Sequence, residues 1–240
     1  LSAPILASGK HEVILTTTSS DREEIGSQIE DWIEGNPEIL QNSEKLTTHS
    51  YKGMFIDLYD LEGGSSERLV QLGGFYNPAV SLNENNLVYR RSDGNIYWYD
   101  LSSGTNTKIT DIDLSFSGPA GNPSIYEDRI IYYQLDQNWR DNNIYLYDMS
   151  TGQNEQIKEI ISDDGSQIIM YPQLCNDKIV YINKADGKLY IYDIDQRTEQ
   201  SIGENFRYYE KYSCTGDYLV YNRGGVELYD LRTDESEVLD

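Results

Sequence analysis

The chain has 240 residues, with 19 Lys plus Arg against 41 Asp plus Glu, a formal charge of −22. With no cationic surplus to release counterions from phosphate, nucleic acid is excluded as a partner and an anionic membrane surface is disfavoured. The length suits one large all-β domain, since chains of this size hide roughly 70% of their extended surface, and no apolar run of about 18 residues marks an inserted helix.

The chain starts Leu1-Ser2-Ala3-Pro4, without an initiator Met or the apolar core of a signal peptide. That start reads as a processed, exported mature protein, with a trimmed piece as the alternative. Pro4-Ile5-Leu6 and Val13-Ile14-Leu15 suit a degenerate first repeat. From Arg22 to Ile33, Ile25, Ile29 and Ile33 recur at four-residue spacing, and a helix competes there with a strand ending at Trp32. Pro37-Glu38-Ile39 opens the next unit, with Leu46-Thr47-Thr48 as its second strand.

From there the repeat is plain. Asp57-Leu58-Tyr59-Asp60-Leu61, Tyr97-Trp98-Tyr99-Asp100-Leu101, Tyr145-Leu146-Tyr147-Asp148-Met149, Tyr190-Ile191-Tyr192-Asp193-Ile194 and Glu227-Leu228-Tyr229-Asp230-Leu231 are near-copies, their aspartates 40, 48, 45 and 37 residues apart. Upstream of the middle three lies a Pro-x-apolar start and an apolar pair ending in Tyr: Pro78 to Tyr89, Pro123 to Tyr132, Pro172 to Tyr181. The last unit keeps Tyr218-Leu219-Val220-Tyr221 and lacks the proline.

Each unit holds four short strands. The first begins at the proline, whose missing N–H is tolerated at a strand start. The second ends in Tyr89, Tyr132, Tyr181 or Tyr221, the third is the Tyr-x-Tyr-Asp run, and the fourth is the region of Lys108-Ile109-Thr110 or Gln156-Ile157-Lys158. Asp93-Gly94 and Asp186-Gly187 supply the positive φ of a tight hairpin. In the third strand two tyrosines face one side and Ile with Trp or Leu the other, so both faces pack. Four antiparallel strands every 40 or so residues make an all-β fold, a β-propeller of four-stranded blades. Residues 1–240 form a single domain, with 37–240 as five clear repeats. Residues 1–36 are a degenerate first blade or a segment that closes the ring or pairs with a neighbouring molecule. Six blades are favoured, five the alternative.

The phrase Pro-x-Ile, polar turn, Ile-Val-Tyr, then Ile-Tyr-x-Tyr-Asp-Leu-x-x-Gly resembles the repeat of TolB-like β-propellers, over nearly the whole chain. The shared positions are structural. What the resemblance implies is an exported or envelope protein, extracellular, at the cell surface or periplasmic, that uses a rigid propeller to bind proteins. The chain has neither the separate N-terminal α/β domain of TolB itself nor the hydrolase domain of the related peptidases, so neither activity carries over.

Chemistry is hard to find. No Gly-x-Ser-x-Gly, Gly-x-Gly-x-x-Gly or phosphate loop occurs, and His11 and His49 are the only histidines. The expectation is a protein that is not an enzyme and needs no cofactor. The repeated Asp60, Asp100, Asp148, Asp193 and Asp230 sit where strand three enters a turn, where a short carboxylate accepts backbone N–H bonds, so they are assigned to turn structure. Calcium is the metal this inventory best permits, with Asp111, Asp113, Asp163 and Asp164 as ligands; solvated acidic turns are the other reading. Cys175 and Cys214 lie at nearly the same place in adjacent repeats, and they are either a disulfide or two small buried side chains. The loop from Gln134 to Asn142 places Trp139 and Arg140 for binding, with Trp98 as a further aromatic platform.

These features give a non-catalytic exported propeller that binds a protein or builds a surface assembly by self-association. The alternative is a carbohydrate-binding or carbohydrate-active propeller with calcium; a metal-dependent lyase or lactonase-like enzyme ranks last.

Overall fold

A computed structural model describes residues 13–17, 45–50, 55–60, 65–72, 79–113, 120–135, 142–160, 169–204, 206, 212–222 and 225–239. Among these, all regular structure is β. The N-terminal sheet joins β1 (Val13–Thr17), β2 (Lys45–Ser50), β3 (Phe55–Asp60) and β4 (Ser65–Gln71). Four blades follow. The first holds β5 (Val80–Asn83), β6 (Asn86–Arg90), β7 (Ile96–Asp100) and β8 (Thr105–Lys108). The second holds β9 (Ala120–Tyr126), β10 (Arg129–Leu135), β11 (Asn142–Asp148) and β12 (Gln153–Ile160). The third holds β13 (Ile169–Cys175), β14 (Lys178–Asn183), β15 (Lys188–Asp193) and β16 (Thr198–Gly203). The fourth holds β17 (Tyr212–Thr215), β18 (Tyr218–Asn222), β19 (Val226–Asp230) and β20 (Glu235–Leu239).

Each blade is an antiparallel meander in chain order. The expectation of six blades, or five, is corrected: the described residues form four such blades plus one mixed sheet. In that sheet β1 takes the first-strand place but runs parallel to β2, with Val13 opposite Leu46 and Thr17 opposite Ser50. Parallel neighbours cannot be joined by a tight hairpin, and the chain from 18 to 44 separates them. The segments Pro4 to Leu6, Arg22 to Ile33 and Pro37 to Ile39 lie outside the described residues.

The two-sided strands work as a stacking code. Tyr97 and Tyr99 join Leu87 and Tyr89 against Ile56, Val70 and Leu72 of the N-terminal sheet. From the opposite side of the first blade, Val88, Ile96 and Trp98 meet Ile130, Tyr132, Tyr145 and Tyr147 of the second. Ile131 and Ile144 then meet Ile179, Tyr181 and Tyr192 of the third, and Val180, Ile182 and Ile191 meet Leu219, Tyr221 and Tyr229 of the fourth. Each blade thus lays a face of Tyr with Leu or Ile on an aliphatic face of the sheet before it, so the core is a series of inter-sheet layers rather than one central cluster.

Tyrosine rather than phenylalanine serves here because its tip has a partner. Tyr89, Tyr132 and Tyr181 are buried and stack on Tyr97, Tyr145 and Tyr190 across the strand pair, with ring centroids 5.8, 5.4 and 5.5 Å apart. Their hydroxyls reach the second residue of strand four. Tyr89 and Tyr132 accept from Asn106 Nδ2 at 2.7 Å and Asn154 Nδ2 at 2.6 Å, and Tyr181 donates to Glu199. Burial pushes the Tyr132 hydroxyl up to about 12. In the fourth blade Glu227 replaces the stacking tyrosine and accepts directly from Tyr221 at 2.9 Å.

Pro123 and Pro172 do not begin their strands, as expected from sequence, but sit inside β9 and β13. Each falls where the register shifts, between the pairs Gly121 with Tyr133 and Ser124 with Ile131, and between Met170 with Ile182 and Gln173 with Val180. An imino residue is tolerated at a bulge for the same reason as at a strand start: it has no N–H to lose from the ladder. The bulge in β9 also brings Gly121 under the Tyr133 ring, where a Cβ would come 2.5 Å from the hydroxyl oxygen. Gly121→Ala is therefore expected to cost about 1–3 kcal/mol by overpacking, read as a lower urea midpoint. Adding Tyr133→Leu should recover part of the loss.

Candidate functional site

First strands of successive sheets neighbour one another, β1 beside β5, β5 beside β9, β9 beside β13 and β13 beside β17, so they line the propeller axis. Side chains on these strands tie the blades together. Ser81 Oγ accepts from Ile125 N at 3.3 Å, Ser124 Oγ from Leu174 N at 3.0 Å, and Gln173 Oε1 from Cys214 N at 3.0 Å. The register makes these three equivalent, each opposite the strand-two Val or Ile that packs on the next blade. A disulfide joins Cys175 to Cys214 beside the last rung, with Cα atoms 5.8 Å apart.

The same strands set which side chains the described part of the axis carries. None of β1, β5, β9, β13 or β17 contains Asp, Glu, His, Lys or Arg. Paired-carboxylate hydrolysis needs two acids converging on one bond, and a lyase needs a base within hydrogen-bond reach of a carbon-bound proton. The described inner strands carry no carboxylate pair, and their titratable side chains outside the disulfide are Tyr126, Tyr171 and Tyr212.

Ionisable groups gather at the end of the meanders where strands one and two, and strands three and four, are joined. The inner tips are Glu84-Asn85, Glu127-Asp128, Asn176-Asp177 and Gly216-Asp217, their first residues at φ of 52°, 51°, 58° and 53°. The outer turns are organised by the repeated aspartate. Asp100 accepts from Ser102 N at 2.8 Å and from the hydroxyls of Ser102 and Ser103 at 2.6 and 2.7 Å. Asp148 accepts from Ser150 Oγ and Thr151 N, Asp193 from Gln196 N and Lys178 Nζ, and Asp230 from Arg232 N and its guanidinium. Four residues on, Gly104, Gly152, Arg197 and Asp234 take φ of 69°, 70°, 54° and 59°, the left-handed step that closes each turn. The side chain of Asp60 lies outside the described residues.

Serine hydroxyls hold the Asp100 carboxyl down at about 2, and the Arg232 guanidinium does the same to Asp230. The Ser150 hydroxyl lowers Asp148; burial works against Asp193, but Gln196 N–H and Lys178 outweigh it and it too is lowered. A folded-state value below the unfolded one, near 3.9 for Asp, gives a contribution that is present above the unfolded value and lost as the carboxylate protonates. Stability is expected to fall as pH drops from about 4 towards about 2. The double variant Asp100→Asn/Asp230→Asn should show a shallower slope in urea midpoints taken across that range.

Among the described residues, the cations named at this end are paired. Lys178 Nζ lies 3.2 Å from both Asp177 and Asp193, Arg129 lies 3.8 Å from Asp195, Arg197 meets Glu155, and Arg232 bridges Asp230 and Asp217 at 2.8 and 3.5 Å. What remains towards solvent is carboxylate, including Glu84, Glu127 and Asp128 of the inner tips.

The residues singled out from sequence do not converge. Trp139, Arg140, Asp163 and Asp164 lie outside the described residues. Trp98 is no open platform: its ring packs between the first two blades and its Nε1–H is donated to Asn86 Oδ1 at 2.9 Å. Asp111 is exposed and ion-paired to Lys108 at 2.7 Å, which lowers its carboxyl. Asp113 is also exposed, and between them the Ile112 main chain turns inward to Asn95. Among the described residues, no group of three or more His, Cys, Asp or Glu is arranged to hold a metal ion, and no helix is long and apolar enough to cross a membrane. Sequence reading missed the rungs Ser81, Ser124 and Gln173. The signal was there for two of them, a hydrogen-bonding residue directly after Pro123 and Pro172.

No protein-family model matches the chain, and no curated protein matches it. Solved structures do. An oligogalacturonate lyase in complex with manganese aligns with TM-score 0.57 at 14% identity, over 77% of this chain and 58% of that one. The nidogen/laminin complex aligns with TM-score 0.56 at 12% identity, over 80% and 74%. TolB from Acinetobacter baumannii aligns with TM-score 0.50 at 13% identity, over 99% and 84%. The chain spans less than three-fifths of the length of the lyase. At these identities the likeness is one of fold: the chain is a propeller-type repeat protein, similar in fold to TolB and to the other propellers named.

Proposed function

We propose that the chain is a non-catalytic exported β-propeller that serves as a protein-binding scaffold or as a subunit of a cell-surface or extracellular assembly. One observation carries this reading: the described inner strands, which line the axis, contain no Asp, Glu, His, Lys or Arg. A propeller enzyme of the lyase type draws its chemistry from groups that converge on a substrate, and the described inner strands supply Ser, Thr, Asn, Gln, Tyr, Cys and apolar side chains. The TolB-like blade and the fold likeness to nidogen, solved in complex with laminin, support protein binding. The charge of −22 favours a basic partner, whose association slows as salt is added.

The test is affinity capture with carboxylate-directed crosslinking, run on extracellular and envelope fractions of the source organism. The reading predicts a defined protein partner, or the chain itself, captured with decreasing yield as ionic strength rises. Turnover of an acidic oligosaccharide, with or without manganese or calcium, would overturn it.

A further inference from the structure

The turns between strands two and three in the first and third blades carry Asp-Gly, the aspartyl dipeptide most prone to rearrange to isoaspartate because glycine leaves its amide nitrogen unshielded. In that reaction Gly N attacks the Asp side-chain Cγ and the N–Cγ bond forms. The carboxyl hydroxyl departs with the amide proton as water. A second water then opens the five-membered imide at either carbonyl, and opening at the former main-chain carbonyl leaves the chain running through the side-chain carbon.

Both turns are held against the first step in the same way. Asp93 Oδ1 accepts from Asn95 N at 3.1 Å and Oδ2 from the Tyr97 hydroxyl at 2.7 Å. Asp186 Oδ1 accepts from Lys188 N at 3.1 Å and Oδ2 from the Tyr190 hydroxyl at 2.5 Å. The attacking nitrogens are engaged as well, Gly94 N–H donating to Arg91 O at 3.1 Å and Gly187 N–H to Asn183 O at 2.8 Å. Swinging the carboxyl carbon onto the glycine nitrogen must break all three bonds. The tyrosine rings cannot easily follow, because Tyr97 is stacked on buried Tyr89 and Tyr190 on buried Tyr181.

We infer that Asp93 and Asp186 are latent isoaspartate sites, and that the hydroxyls of Tyr97 and Tyr190 are the clamps that keep them closed. The first tyrosine of the strand-three repeat then has two duties, packing through its ring and protecting the backbone through its oxygen. Both positions carry Asp-Gly and the Tyr together, and the second and fourth blades lack the dipeptide at this place.

The experiment ages the wild type, Tyr97→Phe and Tyr190→Phe at neutral pH and physiological temperature, then maps isoaspartate by peptide mass spectrometry. Phenylalanine keeps the ring stack, and thermal unfolding checks that it does. Loss of a hydrogen bond to a charged acceptor corresponds to about a ten- to hundredfold rise at the paired site. Tyr97→Phe should raise isoaspartate at Asp93 and not at Asp186, and Tyr190→Phe the reverse. Asp164-Gly165, the third Asp-Gly pair of the sequence, serves as reference for the ageing rate. No rise at the paired aspartate would overturn the inference, and so would an equal rise at both, which would point to general loosening.

Discussion

Asn95→Ala is expected to lower stability by about 2–4 kcal/mol. Asn95 is 2% exposed and Thr110 5%. Asn95 Oδ1 accepts from Thr110 Oγ1 at 2.9 Å and from Ile112 N at 2.7 Å, and its Nδ2 donates to Asp93 O at 3.2 Å. Thr110 Oγ1 in turn accepts from Ile96 N at 2.9 Å. One amide thus satisfies the chain as it leaves strand four and returns towards the next blade. Alanine strands the Ile112 N–H and the Thr110 hydroxyl away from water, and each buried orphan costs about 1–3 kcal/mol. Equilibrium urea unfolding should show a lower midpoint with an unchanged slope. Asp111→Asn, beside Thr110 but exposed, should leave the midpoint unchanged.

Removing the Cys175–Cys214 bridge should cost about 2–5 kcal/mol. The cysteines are 39 residues apart in sequence, so the bond closes a loop that includes β14, β15 and β16, and the unfolded chain loses the corresponding freedom. Cys175 is fully buried among Val180, Ile182, Leu219 and Tyr221, so alanine is the right replacement and serine would add an unpaired hydroxyl. Cys175→Ala/Cys214→Ala in non-reducing urea should match the wild type measured with a reducing agent. A wild type insensitive to reductant would mean that the thiols are not bridged in solution. An intact bridge in protein isolated from its source fits export to an oxidising compartment.

The blade was legible in the sequence because its signals are local. Asp-Gly fixes a hairpin, the aspartate of Tyr-x-Tyr-Asp fixes the next turn, and alternation assigns each tyrosine a face. Those three rules place Asp100, Asp148, Asp193 and Asp230 at turns and Tyr89, Tyr132 and Tyr181 between sheets. What failed depends on distant neighbours. The parallel pairing of β1 with β2 joins segments separated by residues 18–44, and no local pattern encodes it. Pro123 and Pro172 suggested strand starts because an edge strand and a bulge excuse the missing N–H equally well. Trp98 suggested a surface platform because both faces of β7 are aromatic, and only the next blade shows that its side is covered. The Asn95 network was invisible because asparagine after Asp-Gly reads as turn chemistry, whereas its amide serves Thr110 and Ile112 far along the chain. For the site the sequence offered mainly absences, and it is from the fold that we proposed above a role in binding protein.

The most direct test of that statement is crosslinking mass spectrometry on the captured complex, with carboxylate-directed reagents that map the contact to one face or the other. The account predicts a protein partner, or a second copy of the chain, crosslinked through the carboxylate-rich turns between strands one and two and between strands three and four, with a yield that falls as salt rises. A chain that stays monomeric and captures no protein, yet binds or cleaves an acidic oligosaccharide through its axis, would contradict it.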